Sequence, residues 1–280
     1  MARDISEITL AFDSVEKGDF DESDIQVLEP EELEGVRDDS PHLVFLIPGI
    51  RTNGWWAQEA RMQELLWDGR EIHFVPVRGN GGNTDRLSSW HLLSRVGLSG
   101  FRNNFTSQIS ILSSQREYAS VNVFAHSMGS ALFSDIVDSL ASTLPKGKFD
   151  TVVFLGSVCH RRHAQRLHGC TELFVNDVGI KDYWPFWAST ARPDSYSDVG
   201  FTGFLNGFVQ DRFFTHNHSS CTSIEHLKDE LVPLLSRSDV QPLGAPLTER
   251  PSYNTYIYLR RGIWALAAFL AAWLLTSALL

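Results

Sequence analysis

The apolar positions of this chain come in short, dense runs. They fall at 42–47, 71–77, 120–124, 151–155, 172–175 and 212–215, rich in Val, Ile, Leu and Phe, and polar or glycine-containing residues follow each. Runs of this length that are continuous rather than alternating read as strands buried on both faces, which is the signature of a parallel sheet. Helix-length stretches lie between and after them, at 57–66, 101–114, 130–144 and 223–235. Strand alternating with helix predicts an α/β fold: a mostly parallel central sheet with helices on both faces.

The last run has a different character. From Gly262 to Leu280 the chain reads GIWALAAFLAAWLLTSALL, 19 residues without a charge. At about 1.5 Å per residue such a helix nearly spans a hydrocarbon core of about 30 Å. Arg260 and Arg261 precede it, with Tyr253, Tyr256 and Tyr258 upstream, the order of a positive-inside flank and an aromatic belt. A buried core helix would carry a polar stripe and a monotopic one a charged face; this segment has neither. The expectation is one C-terminal transmembrane helix at 260–280, single-pass and tail-anchored, with the bulk of the protein on the cytoplasmic side. The lipid bilayer is then the expected partner.

Charge sharpens this division. The formal net charge is -10, but residues 1–40 carry 14 acidic and 3 basic side chains, so the other 240 residues sum to about +1. The expected organisation is an acidic N-terminal segment (1–40), a catalytic domain (41–237), a linker marked by Pro242, Pro246 and Pro251 (238–259) and the anchor (260–280). No broad basic surface argues for a nucleic-acid partner. Cys159, Cys170 and Cys221 are too few for a disulfide scaffold and fit a reducing compartment. The N-terminus shows no basic region leading into an apolar core, so no signal peptide is expected.

The strongest chemical signal is Val121-Asn122-Val123-Phe124-Ala125-His126-Ser127-Met128-Gly129-Ser130-Ala131. An apolar strand runs into a small–x–Ser–x–Gly turn and then a helix, the context of a nucleophile elbow. Small residues flanking Ser127 let neighbouring backbones approach, and the helix N-terminus favours developing negative charge. The run 42–47 ends in Pro48-Gly49-Ile50. A backbone N–H at that place can help hold a tetrahedral oxyanion, which points to Ile50 and Met128 as the oxyanion hole.

An acid and a base are expected downstream, in that order. After the run at 172–175 come Asp177 and Asp182. Asp182, past a glycine-containing turn and before an aromatic and a proline, is favoured over Asp177. After the run at 212–215 come His216 and His218; a loop there can reach Ser127, and His218 is favoured over His216. His126 cannot fold back on its neighbour and reads as a packing or rim residue. His42, His73, His91 and His226 read as solvated.

Five segments together resemble the α/β-hydrolase superfamily, in its esterase/lipase-like branch. They are Phe45-Leu46-Ile47-Pro48-Gly49-Ile50-Arg51-Thr52, Ala125-His126-Ser127-Met128-Gly129, Leu155-Gly156-Ser157-Val158, the stretch from Asn176-Asp177 through Asp182-Tyr183-Trp184-Pro185, and Asp211-Arg212-Phe213-Phe214 with His218-Ser219. They are similar to bacterial members in which an HGIRT strand end, an HSMG elbow, an ND-x-G-x-x-D-x-WP acid loop and a DRF…GHS base loop recur. The resemblance covers about residues 42–235. It implies an α/β-hydrolase fold and a triad of Ser127, Asp182 and His218. This chain departs from the pattern at Pro48, Ala125 and Asn217.

Other clusters carry less. Cys159, His160, His163, His168 and Cys170 match no common zinc spacing, and Arg161, Arg162 and Arg166 among them oppose a dication; a partly exposed basic helix is expected, with no metal and no cofactor. The Gly-rich loop at 78–83 is neither a P-loop nor a dinucleotide fingerprint. Residues 183–214 hold ten aromatics, too many for a solvated loop, and suggest an apolar lid or acyl pocket. The expected activity is that of a membrane-anchored serine hydrolase acting on an acyl ester, including lipid esters. The alternatives are a thioesterase or peptidase on the same triad, or a non-catalytic binding module.

Overall fold

The computed structural model describes residues 40–49, 60, 65–67, 69–77, 95–236 and 253–279, all within the unit Asp39–Leu280. The acidic segment, Ile50, the loop at 78–83 and the linker prolines lie outside these residues.

The strands are β1 (His42–Ile47), β2 (Leu66–Trp67), β3 (Arg70–Pro76), β4 (Ser120–His126), β5 (Phe149–Leu155), β6 (Thr171–Gly179) and β7 (Gln210–Phe214). They lie in the order β2-β3-β1-β4-β5-β6-β7. Every pairing is parallel except that of the two-residue edge strand β2 with β3. The expected α/β architecture is therefore present. The helices are α1 (Arg95–Gln115), α2 (Met128–Ala141), α3 (Ala164–Gly169), α4 (Trp184–Ala191), α5 (Val199–Thr202), α6 (Ile224–His226) and α7 (Tyr253–Leu279).

Two core layers explain the unbroken apolar runs. Successive strand side chains point to opposite faces. From β1, Phe45 meets Phe105 of α1, which meets Phe133 of α2; Phe133 in turn touches Phe149 and Phe154 of β5. On the other face Val44, Leu46, Phe124, Val153 and Val175 pack against Leu227, Leu231 and Leu235. Covered on both faces, β1 and β5 are buried at every position, whereas the outer strand β3 leaves Glu71 exposed.

The chain order also fixes where a ligand can bind. From β1 the chain goes first to β3 on one side and later to β4 on the other. In an open α/β sheet such a reversal of strand order, here between β1 and β4, marks the carboxyl-end position where ligands bind. Ile47 and Ala125, two residues before Gly49 and Ser127, are paired there.

Several local expectations change. Leu66, expected at the end of a helix, lies in β2. The stretch 223–235 is not one helix: α6 passes into a π turn at Leu227–Leu231 and a 3-10 turn at Val232–Ser236. Pro233 explains the second break, since proline lacks an N–H and clashes with the preceding turn. The basic segment forms a 3-10 turn, Arg161–His163, followed by α3. The aromatic-rich stretch holds α4, with Pro185 in its first turn, where proline is tolerated because that N–H has no intrahelical partner.

Helix α7 runs for 27 residues. Ile257 and Ile263 pack on Phe186 of α4 and Phe201 of α5, whereas Trp264, Leu266, Phe269 and Leu274 are exposed. Among the described residues no helix is long and apolar enough to cross a membrane; the side chains at 267, 271, 272 and 275–279 are not in that set.

Candidate active site

Ser127 stands between β4 and α2 with φ 53° and ψ -122°. A serine in this left-handed region stores strain of about 1–3 kcal/mol, held only where the surroundings impose it. Here they do. Its N–H donates to the Leu155 carbonyl at 2.8 Å, and its carbonyl accepts from the Ser130 N–H at 3.1 Å and the Ser130 hydroxyl at 2.6 Å. Gly129 is required by close approach: a Cβ there would lie 2.7 Å from the carbonyl oxygens of Ile47 and Pro48. The elbow is thereby pressed against the end of β1.

His218 reaches this serine from the loop after β7. Its Nε2 lies 3.0 Å from Ser127 Oγ, and its Nδ1 lies 2.7 Å from Asp182 Oδ2. Asp182 is 1% exposed, and its Oδ1 accepts the Trp184 N–H at 3.0 Å. That bond ties the carboxylate to the start of α4. Two ladder-like bonds bring the acid and base loops together beyond the strands: Ile180 N–H to Phe214 O at 2.9 Å and Lys181 N–H to His216 O at 3.2 Å. The pair rests on Gly156, whose φ is +52° and whose added Cβ would come within 2.7 Å of Asp182 Oδ2 and 3.2 Å of His218 Nδ1.

The structure thus brings Ser127, His218 and Asp182 into one hydrogen-bonded chain. It does not bring Asp177 or His216 into it. Asp177 is held by Arg212 (Nε to Oδ1 2.7 Å, Nη2 to Oδ2 2.6 Å) and by His226 Nε2 at 2.9 Å. Burial alone would raise the Asp177 carboxyl, but the Arg212 charge, the hydrogen bonds and His226 together hold it below its ordinary value. His216 stacks on Phe214 and meets His226 edge-on; burial, then the charge of His226, push it down to about 4. Met128 opens α2, so its N–H is among the first-turn donors that lack an intrahelical acceptor. The other expected oxyanion donor, Ile50, lies outside the described residues.

Of the two readings of His126, packing holds: it is buried, its Nε2 lies 3.0 Å from the His218 carbonyl oxygen, and burial followed by the nearby His218 lowers it to about 3. It is therefore neutral, with Nε2–H as donor to that carbonyl. Two other histidine readings need correction: His42 and His226 are not solvated. Both are buried, His42 against the Ser120 hydroxyl at 2.7 Å and His226 against Asp177. Arg212 could have been found by pairing the strands, since Asp177 and Arg212 are direct partners across β6 and β7. Nothing in the local sequence signals the clearance that Gly156 provides.

The remaining candidates contribute no chemistry. Among the described residues no group of His, Cys, Asp and Glu is placed to hold a metal ion. Burial pushes the Cys159 thiol up to about 12, so it is not a thiolate nucleophile. The aromatics between acid and base divide: Phe186, Phe201, Phe204 and Phe213 are buried, whereas Tyr183, Trp184, Trp187 and Phe208 are exposed. The Trp184 ring centroid lies 6.2 Å from that of His218.

No protein-family model matches this sequence, and no curated protein is similar to it. Solved structures give loose superpositions. A candidate cell-surface hydrolase from Lactobacillus plantarum WCFS1 aligns at TM-score 0.44 and 8% identity, over 81% of this chain and 98% of that one. Acyl-protein thioesterase 2 from Zea mays aligns at 0.42 and 17%, over 71% and 93%. An alpha-beta serine hydrolase homologue from Coxiella burnetii aligns at 0.42 and 12%, over 73% and 86%. Likeness at this level carries no weight for activity, which has to be argued from the topology and the site geometry.

Proposed function

We propose that this chain is a membrane-anchored serine hydrolase of the α/β-hydrolase kind that cleaves an acyl ester. One observation carries the reading: the unbroken relay from Ser127 Oγ through His218 to the buried Asp182 carboxylate, starting at a strained elbow. Ser127 is the nucleophile, His218 the base and Asp182 the group that fixes the imidazole and stabilises its protonated form. Nε2 of His218 takes the hydroxyl proton as Oγ bonds to the acyl carbon. The carbonyl oxygen becomes an oxyanion stabilised by the Met128 N–H at the start of α2, with Ile50 the second donor that the sequence pattern implies. The carbon–oxygen bond to the leaving alcohol then breaks, and His218 hands that alcohol its proton. Water, deprotonated by the same Nε2, attacks the acyl-enzyme and frees the acid and Ser127. Removal of one oxyanion donor lowers turnover by about 10²–10³-fold.

Three features support anchoring. The run from Gly262 is free of charge, α7 leaves large apolar side chains exposed, and Arg260 and Arg261 flank it on the domain side. By the positive-inside rule that flank favours a domain on the cytoplasmic side of a single-pass anchor. An exposed aromatic rim on a tethered domain points to a lipid or other acyl ester as substrate.

The test is covalent labelling with a fluorophosphonate, comparing the native chain with Ser127→Ala. Label on the native protein alone is expected; no label on it favours a non-catalytic module. Turnover of short soluble esters with no action on micellar or bilayer lipids removes the lipid substrate and leaves the hydrolase.

A further inference from the structure

Helix α4 is two-sided in an unusual way. Pro185, Phe186, Ser189 and Thr190 face inward, while Tyr183, Trp184 and Trp187 face outward, Trp184 at 65% exposure. Positions 183 and 187, and 184 and 187, are four and three residues apart, so the three large rings share one face. They lie at the mouth of the site: the Trp184 N–H is bonded to Asp182 and its ring adjoins His218. A lid in water would be expected to turn such rings toward the pocket.

The inward face of α4 supplies the second observation. Phe186, together with Phe201, receives Ile257 and Ile263 of α7. These two isoleucines bracket Arg260 and Arg261, so the stretch of α7 fixed to the domain is the stretch bearing the positive flank. Ile257 to Ile263 spans about 9 Å along a helix, comparable to the depth of one headgroup layer. In an anchored chain the arginines mark headgroup level and the apolar run beyond Gly262 enters the hydrocarbon. Tryptophan and tyrosine favour that same boundary, because one part of the ring is apolar and another part hydrogen-bonds.

Resting on the anchored-hydrolase reading, we propose that α4 and the base of α7 form one bilayer-docking surface. It holds the mouth of the Ser127 site at headgroup level, and the substrate is an acyl ester lying at the headgroup–acyl boundary. The domain does not hang free on its linker. The occupant of the Tyr183–Trp184–Trp187 face is lipid rather than a second protein. Substrate then needs only a small displacement along its own axis to reach Ser127.

Depth measurement tests this without any activity. The full chain, with Cys170→Ser to remove the half-exposed thiol, is placed in phosphatidylcholine vesicles. A bimane is attached at Trp187→Cys in one sample and at Phe269→Cys in another, and quenched by lipids spin-labelled near the headgroup or deep in the tail. The expected result is loss of fluorescence at 187 with the shallow label and at 269 with the deep one. Quenching at 269 with none at 187 overturns the docking and leaves the anchor standing. No quenching at 269 removes the anchor, and the docking falls with it. Protection of 187 from both lipid labels and from aqueous iodide identifies a protein occupant, which also overturns the proposal. A second measurement follows Trp187→Glu: the ratio of vesicle-ester to soluble-ester turnover should fall about tenfold, as for loss of one aromatic anchor. An unchanged ratio counts against the substrate assignment.

Discussion

Among the described residues two histidines bond to a buried aspartate of β6 or the loop after it. In one pair, Asp182 meets His218 at 2.7 Å; in the other, Asp177 meets His226 at 2.9 Å. Both aspartates are 1% exposed. The difference lies in what else each partner touches. His218 has a second nitrogen turned outward onto Ser127, and a fifth of its side chain is exposed. His226 is sealed, with the rings of Phe214 and His216 against it. Asp177 also carries a two-pronged bond from Arg212, and Arg212 donates further to the Glu230 carbonyl at 3.1 Å. One pair has a serine hydroxyl and an opening; the other has a countercharge and no opening. The same residue types therefore give a hydrogen-bonded relay onto a serine in one place and an internal ion cluster, binding β6, β7 and α6 together, in the other.

The sharpest way to break that contrast is to remove the nucleophile. Ser127→Ala should lower turnover about 10⁶-fold, as losing a triad serine does, and abolish fluorophosphonate labelling. Its unfolding free energy, measured in urea, should change by less than about 0.5 kcal/mol, since alanine keeps the same backbone constraint. Loss of fold together with activity would mean that the relay is structural as well.

The reciprocal asparagine substitutions come next. Asp182→Asn should lower turnover about 10⁴-fold by fixing the wrong tautomer of His218, with little change in stability. Asp177→Asn should do the reverse. It leaves the buried Arg212 guanidinium with only the longer, more exposed Glu230 carboxylate at 3.6 Å as countercharge, so the loss should approach the about 3–5 kcal/mol of a broken buried pair without exceeding it. The folded fraction should still take the fluorophosphonate; loss of label in a folded variant would merge the two pairs into one functional unit. The acid limb gives an independent check. Asp177 has its folded value below the ordinary 3.8, so it stabilises fully above that pH, and the stabilisation is lost as pH falls through the folded value. Asp177→Asn should lose that part of the acid dependence.

These outcomes bear on how much the sequence alone could say. The strands were legible because a sheet covered on both faces needs unbroken apolar runs, and β1 falls at 42–47 as the run predicts. The elbow was legible because strand, small residue, serine and glycine are adjacent. Choosing Asp182 over Asp177 was possible from turn placement. What occupies Asp177 was legible only in part: Arg212 follows from pairing β6 with β7, whereas His226 comes to it from 49 residues away. The breakdown of 223–235 into three pitches was partly signalled by Pro233. The role of Gly156 left no local trace, and His126 could be narrowed only to packing or rim, since each depends on what the fold brings against it.

His126 provides the smallest and last test, and it connects the two kinds of histidine. It is sealed like His226, yet its ring lies 4.7 Å from that of His218 and it bonds the His218 carbonyl. His126→Phe removes one hydrogen bond that the Cys221 thiol, 3.3 Å from the same oxygen, replaces only weakly. Near neutral pH the variant should lose about 0.5–1.5 kcal/mol of stability. Below the ordinary value of 6.5 the balance should change, because the folded value of His126 is about 3. Between those limits the unfolded chain binds a proton that the folded chain refuses, so the native protein loses stability as pH falls. Phenylalanine has no such proton to bind. Urea midpoints should therefore favour the native chain at about pH 7 and the variant at about pH 4.5. A native advantage that persists at the lower pH would show that His126 accepts the proton in the fold. It would then belong with His218, among the histidines whose charge the site can use, rather than with the sealed one.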